Sequence, residues 1–343
     1  MDVVMSSDEY FESYEELDVH RLMLSDNPRM TAYKNAIVNN KHLFEGKVVM
    51  DVGAGTGILS IFCAQIGART VYAVEASRLS SVIKDVAIEN CVDKVVQVIP
   101  QKLEDIRDDT VDVVDIIVSE WMGFYLVHEG MLNTIITARD RFLVENGLIF
   151  PCIAKLYAAP CQVPEFFEFW DDVCGVKMGS IGTQLRKLKS TKPEIMLVKP
   201  ENLLSGEKLF AWLDLRSTTS VELSTIGGQD LVFASKKNGK FEGICVWFDV
   251  EFPDTSELST SPQTEPTHWK QTVILLPQAQ EVEESEPIAV KITARKNEAR
   301  PRWYNLELEV LDPDETEHDM PCDCYMTKCI VSREFLKLQE NNE

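Results

Sequence analysis

Two acids stand in one apolar and aromatic stretch, SEWMGFYLVHEGML at 119–132: Glu120 and Glu129, nine positions apart. Removing carboxylates from water is costly unless a cation meets them, so the pair implies a site for a positively charged group. A second stretch, DVGAGTGILS at 51–60, spaces Gly53, Gly55 and Gly57 as G-x-G-x-G. A dinucleotide fingerprint would need glycine where Ile58 stands, and a P-loop would need Gly-Lys-Ser/Thr. The remaining common reading is a site for S-adenosylmethionine, whose carboxylate and ribose can approach backbone without a diphosphate. Glu75, 20 positions after Gly55, ends the next apolar run, where an acid can hold both ribose hydroxyls. Glu104, in QKLEDI, falls where the adenine amino group would lie.

The elements around these residues change character once along the chain. Residues 1–45 read as helical, with Pro28 interrupting and Ser25 or Asp26 placed to cap the next helix. From Lys47, short apolar strands (KVVMDVG, TVYAVEAS, VVQVIP, VDIIVSEW, GLIFP) alternate with helices such as ILSIFCAQIGA and LSSVIKDVAIEN. That predicts a doubly wound parallel sheet. Beyond Pro151, runs with period two take over, KLFAWLDLRS, FEGICVWFDVEF, KQTVILL, IAVKITARK and WYNLELEVL among them, and predict an all-β barrel or sandwich. PEFFEFWDDVCGVKMGSIGTQLRKLK, 164–189, reads instead as helices with aromatic faces, whose apolar residues suggest a subunit contact.

The 343 residues carry 34 Lys+Arg against 56 Asp+Glu, a net charge of −22. Such a field repels nucleic-acid phosphates, so no direct nucleic-acid binding is expected, and it attracts basic partners. No apolar run reaches the roughly 18 residues a bilayer span needs, so no membrane partner is expected. The acidic start MDVVMSSDEYFESYEELD does not resemble a signal peptide, and the chain is expected in the cytoplasm, the nucleus or both. The nine cysteines read there as reduced thiols. CDC at 322–324 with Cys329 hints at a metal site, but no second Cys or His pair completes one, so no metal is expected.

The chain resembles the protein arginine N-methyltransferases. YFESY, VMDVGAGTGILS, VYAVEAS, SEWMGFYLVHEGML, GLIFP and THWKQTV match that family's ordered motifs between residues 10 and 273. The resemblance implies an α/β plus β protein: a helical lid at 1–45, a Rossmann-like cofactor domain at 46–151 and a β-barrel substrate domain at 152–343, with a dimerisation arm at 164–189. It implies S-adenosylmethionine as cofactor, S-adenosylhomocysteine as its product, a homodimer, and basic protein substrates such as histone tails or Gly/Arg-rich RNA-binding proteins.

The resemblance also explains the two acids: the stretch matches the hairpin that grips the substrate guanidinium. Arginine arrives protonated and planar, and it must meet a sulfonium that is also positive. Two such charges about 4 Å apart, at an effective dielectric of about 20, repel by about 4 kcal/mol. Two carboxylates offset this and fix which nitrogen faces the methyl group. Glu120 would pair with and aim the guanidinium; Glu129 would draw positive charge away from the attacking nitrogen.

By the same resemblance Phe11 packs on the cofactor, and Tyr10 and Tyr14 cover it and bound the arginine channel. His20, Met23, Arg29, Asp51, Gly53, Gly55, Glu75, Ala76, Leu103, Glu104 and Met131 form the cofactor site, with Arg29 suited to the cofactor carboxylate. His268 of THW would lie beside Asp26 and help move the released proton, and Trp269 would line the channel or pack at the domain junction. Met23 and Met131 match methionines of the type I branch, which makes mono- and asymmetric dimethylarginine. Departures cluster near the site: Ala54, Arg21, Leu22, Phe124, His128 and Gly130 replace residues more usual in the family, and Pro28 precedes Arg29, whose approach it would shift. Gly130 loosens the backbone after Glu129, and His128 would add positive charge below about pH 6.5. Two other readings stand beside this one: a weakly catalytic paralogue acting as a scaffold, and a small-molecule methyltransferase.

Overall fold

The computed structural model describes residues 17–300 and 302–340. Tyr10, Phe11 and Tyr14, and with them the first part of the expected lid, lie outside these residues. The first described helices are α1 (Leu17–Leu24), α2 (Asn27–Val38) and α3 (Lys41–Phe44). Asp26 caps α2: its carboxylate accepts from the Arg29 amide at 3.1 Å, and Pro28 sits in the first turn, where no helical donor is lost.

Strand β1 (Val48–Val52), helix α4 (Ile58–Gln65), β2 (Thr70–Val74), α5 (Leu79–Glu89), β3 (Val96–Ile99), β4 (Val114–Val118), α6 (Met131–Phe142) and β5 (Leu143–Phe150) come next. The strands pair in parallel in the order β3-β2-β1-β4-β5. Every residue of β1 is buried, as a strand covered on both faces requires. The order reverses direction between β1 and β4, so a crevice opens beyond the carboxyl ends of these strands, where ligands of such sheets bind.

The β half holds β6 (Ile153–Cys161), short helices α7 (Pro164–Phe167) and α8 (Gly179–Lys189), β7 (Glu194–Met196), β8 (Lys208–Asp214), β9 (Thr225–Ala234), β10 (Gly239–Glu251), β11 (Glu257–Ser259), β12 (Gln271–Val282), β13 (Pro287–Lys296) and β14 (Tyr304–Leu311). Antiparallel pairing arranges them as β7-β12-β10-β6-β8, with β11 on β10, and as β14-β13-β9. A last helix, α9 (Thr327–Glu340), closes the described chain within the stretch expected to be barrel. One core runs through both halves: Tyr33 of α2 meets Phe252 edge-on at 5.1 Å, and Phe252 faces Phe150 at 6.4 Å. Among the described residues no helix is long and apolar enough to cross a membrane.

The segment expected as a subunit arm is helical at both ends. Arg186 of α8 pairs with buried Glu242 of β10 and lies 3.7 Å over the Phe167 ring. Glu242 also accepts from the Val163 amide at 2.6 Å. Beyond this anchored base the arm leaves Phe169 60% and Leu188 66% exposed.

Candidate active site

At the carboxyl ends of β1, β2 and β4 lies a cleft of about 400 Å³, within the range of small-molecule sites. The glycine loop forms its floor. Gly57 has φ +83°, and a Cβ there would stand 2.8 Å from Ile83 Cγ2, so both backbone conformation and packing demand glycine. The Gly55 amide donates to Glu75 Oε2 and the Ser77 amide to Glu75 Oε1, each at 2.7 Å. Each carboxylate oxygen has two lone pairs, so Glu75 keeps acceptor capacity toward the cleft it lines. Ala76, Leu103 and Glu104 line the same end, and Glu104 Oε1 accepts from the Thr134 hydroxyl at 2.6 Å.

Asp51 is placed differently from its neighbours. It is buried under the loop and does not line the cleft; its Oδ2 accepts from Ser60 Oγ at 2.6 Å. Burial pushes its carboxyl up to about 7, against the opposing effect of the Ser60 hydrogen bond. Its part in the site is therefore to hold the turn from below.

The other wall comes from α1, α2 and the stretch after β4. His20 is buried over Gly55, and Met23 and Met131 line the cleft. Tyr33 donates to the Ser119 carbonyl at 2.9 Å, which steadies the chain just before Glu120. Arg29 is buried, and its Nη2 and Nε donate to Glu120 Oε2 at 2.8 and 3.1 Å, while Nη1 donates to the Met23 carbonyl at 2.7 Å. Arg29, matched by resemblance to the cofactor carboxylate, is thus paired in this structure with Glu120, the acid matched to the substrate guanidinium. Glu120 Oε1 is buried and has no hydrogen-bond partner among the described residues.

Glu129 also lines the cleft, with its backbone in the left-handed region at φ +79° and Gly130 next to it at φ +66°. The stretch between the acids turns back through a Gly123–Leu126 bridge before α6 begins. His128 departs from expectation. Burial lowers its pKa to about 4, so it stays neutral where it was expected to add charge. The Tyr125 hydroxyl donates to the Tyr304 carbonyl at 3.0 Å, which leaves its oxygen to accept from His128 Nδ1 at 2.9 Å. Trp303 meets the imidazole edge-on at 4.6 Å.

The β half reaches the cleft through His268, Trp269 and Arg302. His268 Nδ1 lies 2.6 Å from Asp26 Oδ2, and its amide donates to the same oxygen at 2.8 Å. Burial works against the charge on Asp26, but the hydrogen bonds from His268 and Arg29 outweigh it and hold the carboxyl below its usual range. Trp269 donates from Nε1 to the Met122 carbonyl at 2.9 Å and stacks obliquely on His268 at 4.1 Å. Arg302, which sequence reasoning did not single out, donates to the Glu129 carbonyl at 3.3 Å. Its position after IAVKITARK carries no local signal; only the folded β half brings it there.

Cys322, Cys324 and Cys329 are free buried thiols, but they lie together, and His318, which the sequence reading did not count with them, is buried among them. The signal was present in the sequence, a single histidine four positions before Cys322.

A doubly wound cofactor sheet, an acid-walled cleft at its switch point and a β half that closes the cleft define a methyltransferase with a fused β domain. Residues 36–127 match the family model described as ribosomal protein L11 methyltransferase (PrmA), and residues 152–311 the one described as the arginine methyltransferase oligomerization subdomain. Protein arginine N-methyltransferase 6 of Xenopus tropicalis is 39% identical over 309 residues, covering 88% of this chain and 90% of that protein. Probable protein arginine N-methyltransferase 6.1 of Oryza sativa subsp. indica is 36% identical over 332 residues, covering 88% and 87%. The Trypanosoma brucei PRMT1 enzyme-prozyme heterotetrameric complex with AdoHcy contains a chain of similar structure, with a TM-score of 0.78 and 30% identity, covering 90% of this chain and 98% of that one. The solved structure of PRMT6-SAH has a TM-score of 0.76 and 32% identity, covering 86% and 100%. The chain belongs to the protein arginine N-methyltransferase family, whose enzymes use S-adenosylmethionine.

Proposed function

We propose that this protein methylates arginine side chains of basic proteins, Gly/Arg-rich chains or histone tails, and that it forms mono- and asymmetric dimethylarginine. The observation that carries this reading is Glu120. Arg29 fixes one of its oxygens, and the other is buried at the cleft wall without a donor among the described residues. A buried carboxylate oxygen without a donor is costly, and a substrate guanidinium, with five N–H donors in a plane, satisfies it.

The residues present fit the cofactor: Glu75 offers acceptor capacity beside the Gly55 turn, and the cleft is of suitable size. When bound, S-adenosylmethionine supplies the electrophilic methyl group. Glu120 aims the guanidinium, Glu129 draws positive charge from the attacking nitrogen, and the Asp26–His268 pair ties the N-terminal helices to the β half and stands ready to accept the released proton. Met23 and Met131 at the cleft support the type I product. The net charge of −22 favours an extended basic chain over a small amine.

We also propose a homodimer through the arm at 164–189. Its outer apolar residues, Phe169 and Leu188, are exposed, and Lys187 of α8 is exposed beside them on an otherwise acidic chain. A second copy supplies both apolar and acidic surface.

The test is mass spectrometry of a Gly/Arg-rich peptide and a histone tail after incubation with S-adenosylmethionine. One and two added methyls on arginine, with both on one terminal nitrogen, are expected. A chain that binds the cofactor by calorimetry yet methylates neither substrate overturns the reading in favour of a scaffold.

A further inference from the structure

After β14 the chain forms no further strand among the described residues, yet residues 318–329 bury four side chains with metal-ligating atoms. His318 Nδ1 lies 3.5 Å from Cys322 Sγ, 3.4 Å from Cys324 Sγ and 3.2 Å from Cys329 Sγ. All four ligand atoms fall within 4.8 Å of one another. His318 Nε2 lies 2.9 Å from the Pro313 carbonyl, an acceptor, so Nε2 carries the proton. A neutral imidazole has only one such proton, so Nδ1 turns its lone pair toward the three sulfurs. That lone pair can take a hydrogen from only one thiol at a time. Hydrogen bonding alone does not account for three thiols converging on it.

We propose that His318, Cys322, Cys324 and Cys329 bind one structural Zn²⁺. Zinc with sulfur at about 2.3 Å and nitrogen at about 2.0–2.1 Å in a tetrahedron sets its ligand atoms about 3.5–3.8 Å apart, close to the spacing found. Three thiolates with one imidazole form a closed, four-ligand set, the kind that holds zinc for structure and leaves no position for a substrate. The Pro313 carbonyl is the outer partner that a ligating histidine requires to fix its ring. Three thiolates around Zn²⁺ sum to −1, and two cations lie close by. Arg333 donates to the Cys324 carbonyl at 3.0 Å and also to that of Cys322, and Lys328 donates to the Thr316 carbonyl at 3.1 Å.

The ion has a clear mechanical role. Cys329 lies near the start of α9, whereas His318, Cys322 and Cys324 precede the helix. The Tyr325 amide donates to the Ser285 carbonyl at 2.9 Å, and Lys208 of β8 pairs with Asp319 at 2.9 Å. The metal clips the first turn of α9 to the loop before it, and the Tyr325 and Asp319 contacts join that loop to the β half. None of its four ligands lines the methyl-transfer cleft.

The experiment uses the full chain, purified under reducing conditions without a polyhistidine tag. Elemental mass spectrometry is expected to give about one zinc per chain. Cys329→Ser and His318→Ala each lose most of it, while Cys174→Ser, at an exposed cysteine outside the cluster, keeps it. Cobalt(II) added to the zinc-stripped parent chain is expected to give the thiolate charge-transfer and intense ligand-field bands of a tetrahedral site, a readout that does not depend on any variant folding. A folded parent chain that takes up neither zinc nor cobalt, or zinc content unchanged in both ligand variants, or a disulfide among the three cysteines that persists when zinc is supplied under reducing conditions, overturns the proposal.

Discussion

Arg29 and Glu120, 91 positions apart, share one oxygen: both Nε and Nη2 of the arginine converge on Glu120 Oε2 at 3.1 and 2.8 Å. This is a monodentate grip, and its effect is directional. A bidentate pair would occupy both carboxylate oxygens and leave neither as an acceptor for an incoming cation. Here one oxygen is held while Oε1 remains buried and unpartnered among the described residues. The pair therefore presets the orientation of Glu120 before substrate arrives.

Glu120→Gln keeps the shape and removes the charge. We expect kcat/KM for an arginine peptide to fall by about 100-fold or more, on the scale of losing one preorganised electrostatic contact in a reacting site. Cofactor affinity, measured by calorimetry, should change by less than about tenfold, since Glu75 and the glycine turn are untouched. Unchanged turnover by the variant would remove Glu120 from the chemistry.

Asp26 joins the N-terminal helices to the β half, and its acidity carries a sign. Its folded-state pKa is depressed, so its contribution to stability is fully present above the unfolded value of about 3.9 and is lost as pH falls through the lower folded value. Asp26→Asn should destabilise the chain at pH 7 by about 1–3 kcal/mol, the scale of a hydrogen bond to a charged group. Its deficit should shrink toward pH 3. Urea midpoints of both proteins across that range provide the check.

Much of this arrangement was legible before folding was considered. The alternation from Lys47 to Pro151 is a local signal repeated several times, and the glycine turn with Glu75 is a short-range constraint on one βαβ unit. Helix α6 was not legible, because its N-terminus is Gly130 in a left-handed conformation with no capping side chain, and the apolar run before it blurs the period. Strand β9 hides behind Gly227 and Gly228, which read as a turn; both have positive φ where the register with β13 shifts. Arg29 on Glu120, Arg302 on Glu129 and Asp26 on His268 are contacts between distant segments, and no local pattern encodes which partner a charged side chain meets.

His128 gives a pH dependence of its own. The unfolded chain takes a proton there below about pH 6.5 and the folded protein only below about 4. Between those values the unfolded state binds more protons, so this residue makes stability fall as pH falls. His128→Phe cannot titrate. It loses the Tyr125 contact at every pH, but its stability should decline less steeply than the parent's from pH 6.5 to 4.5. Equal slopes would show that the imidazole is not held neutral.

Gly57→Ala tests the turn beneath the cofactor cleft. A side chain at φ +83° meets unfavourable backbone energy of about 1–2 kcal/mol, and its Cβ would lie 2.8 Å from Ile83 Cγ2. Ile83 is buried on α5 and has little room to yield. We expect a total loss of about 2–4 kcal/mol of stability, together with weaker cofactor binding. A thermal melt with and without S-adenosylhomocysteine separates the two effects, because the ligand-induced rise in Tm reports affinity apart from the lower baseline.

The arm offers a prediction about assembly that leaves the fold alone. Its base is secured inside one chain by Arg186 on Glu242 and Phe167, whereas Phe169 and Leu188 lie outside that anchor and contribute their exposed apolar surface to no core of the same chain. Replacing both with glutamate should cost little folding stability, because exposed positions usually stay within about 0.5 kcal/mol each. It should nevertheless shift the chain to a monomer in light scattering, since each charge would have to be desolvated in a dimer and would appear twice by symmetry. Arg186→Met should act the other way round, loosening the arm within one chain by leaving buried Glu242 without its cation. A double glutamate variant that remains dimeric with an unaltered Tm would move the subunit contact away from this arm.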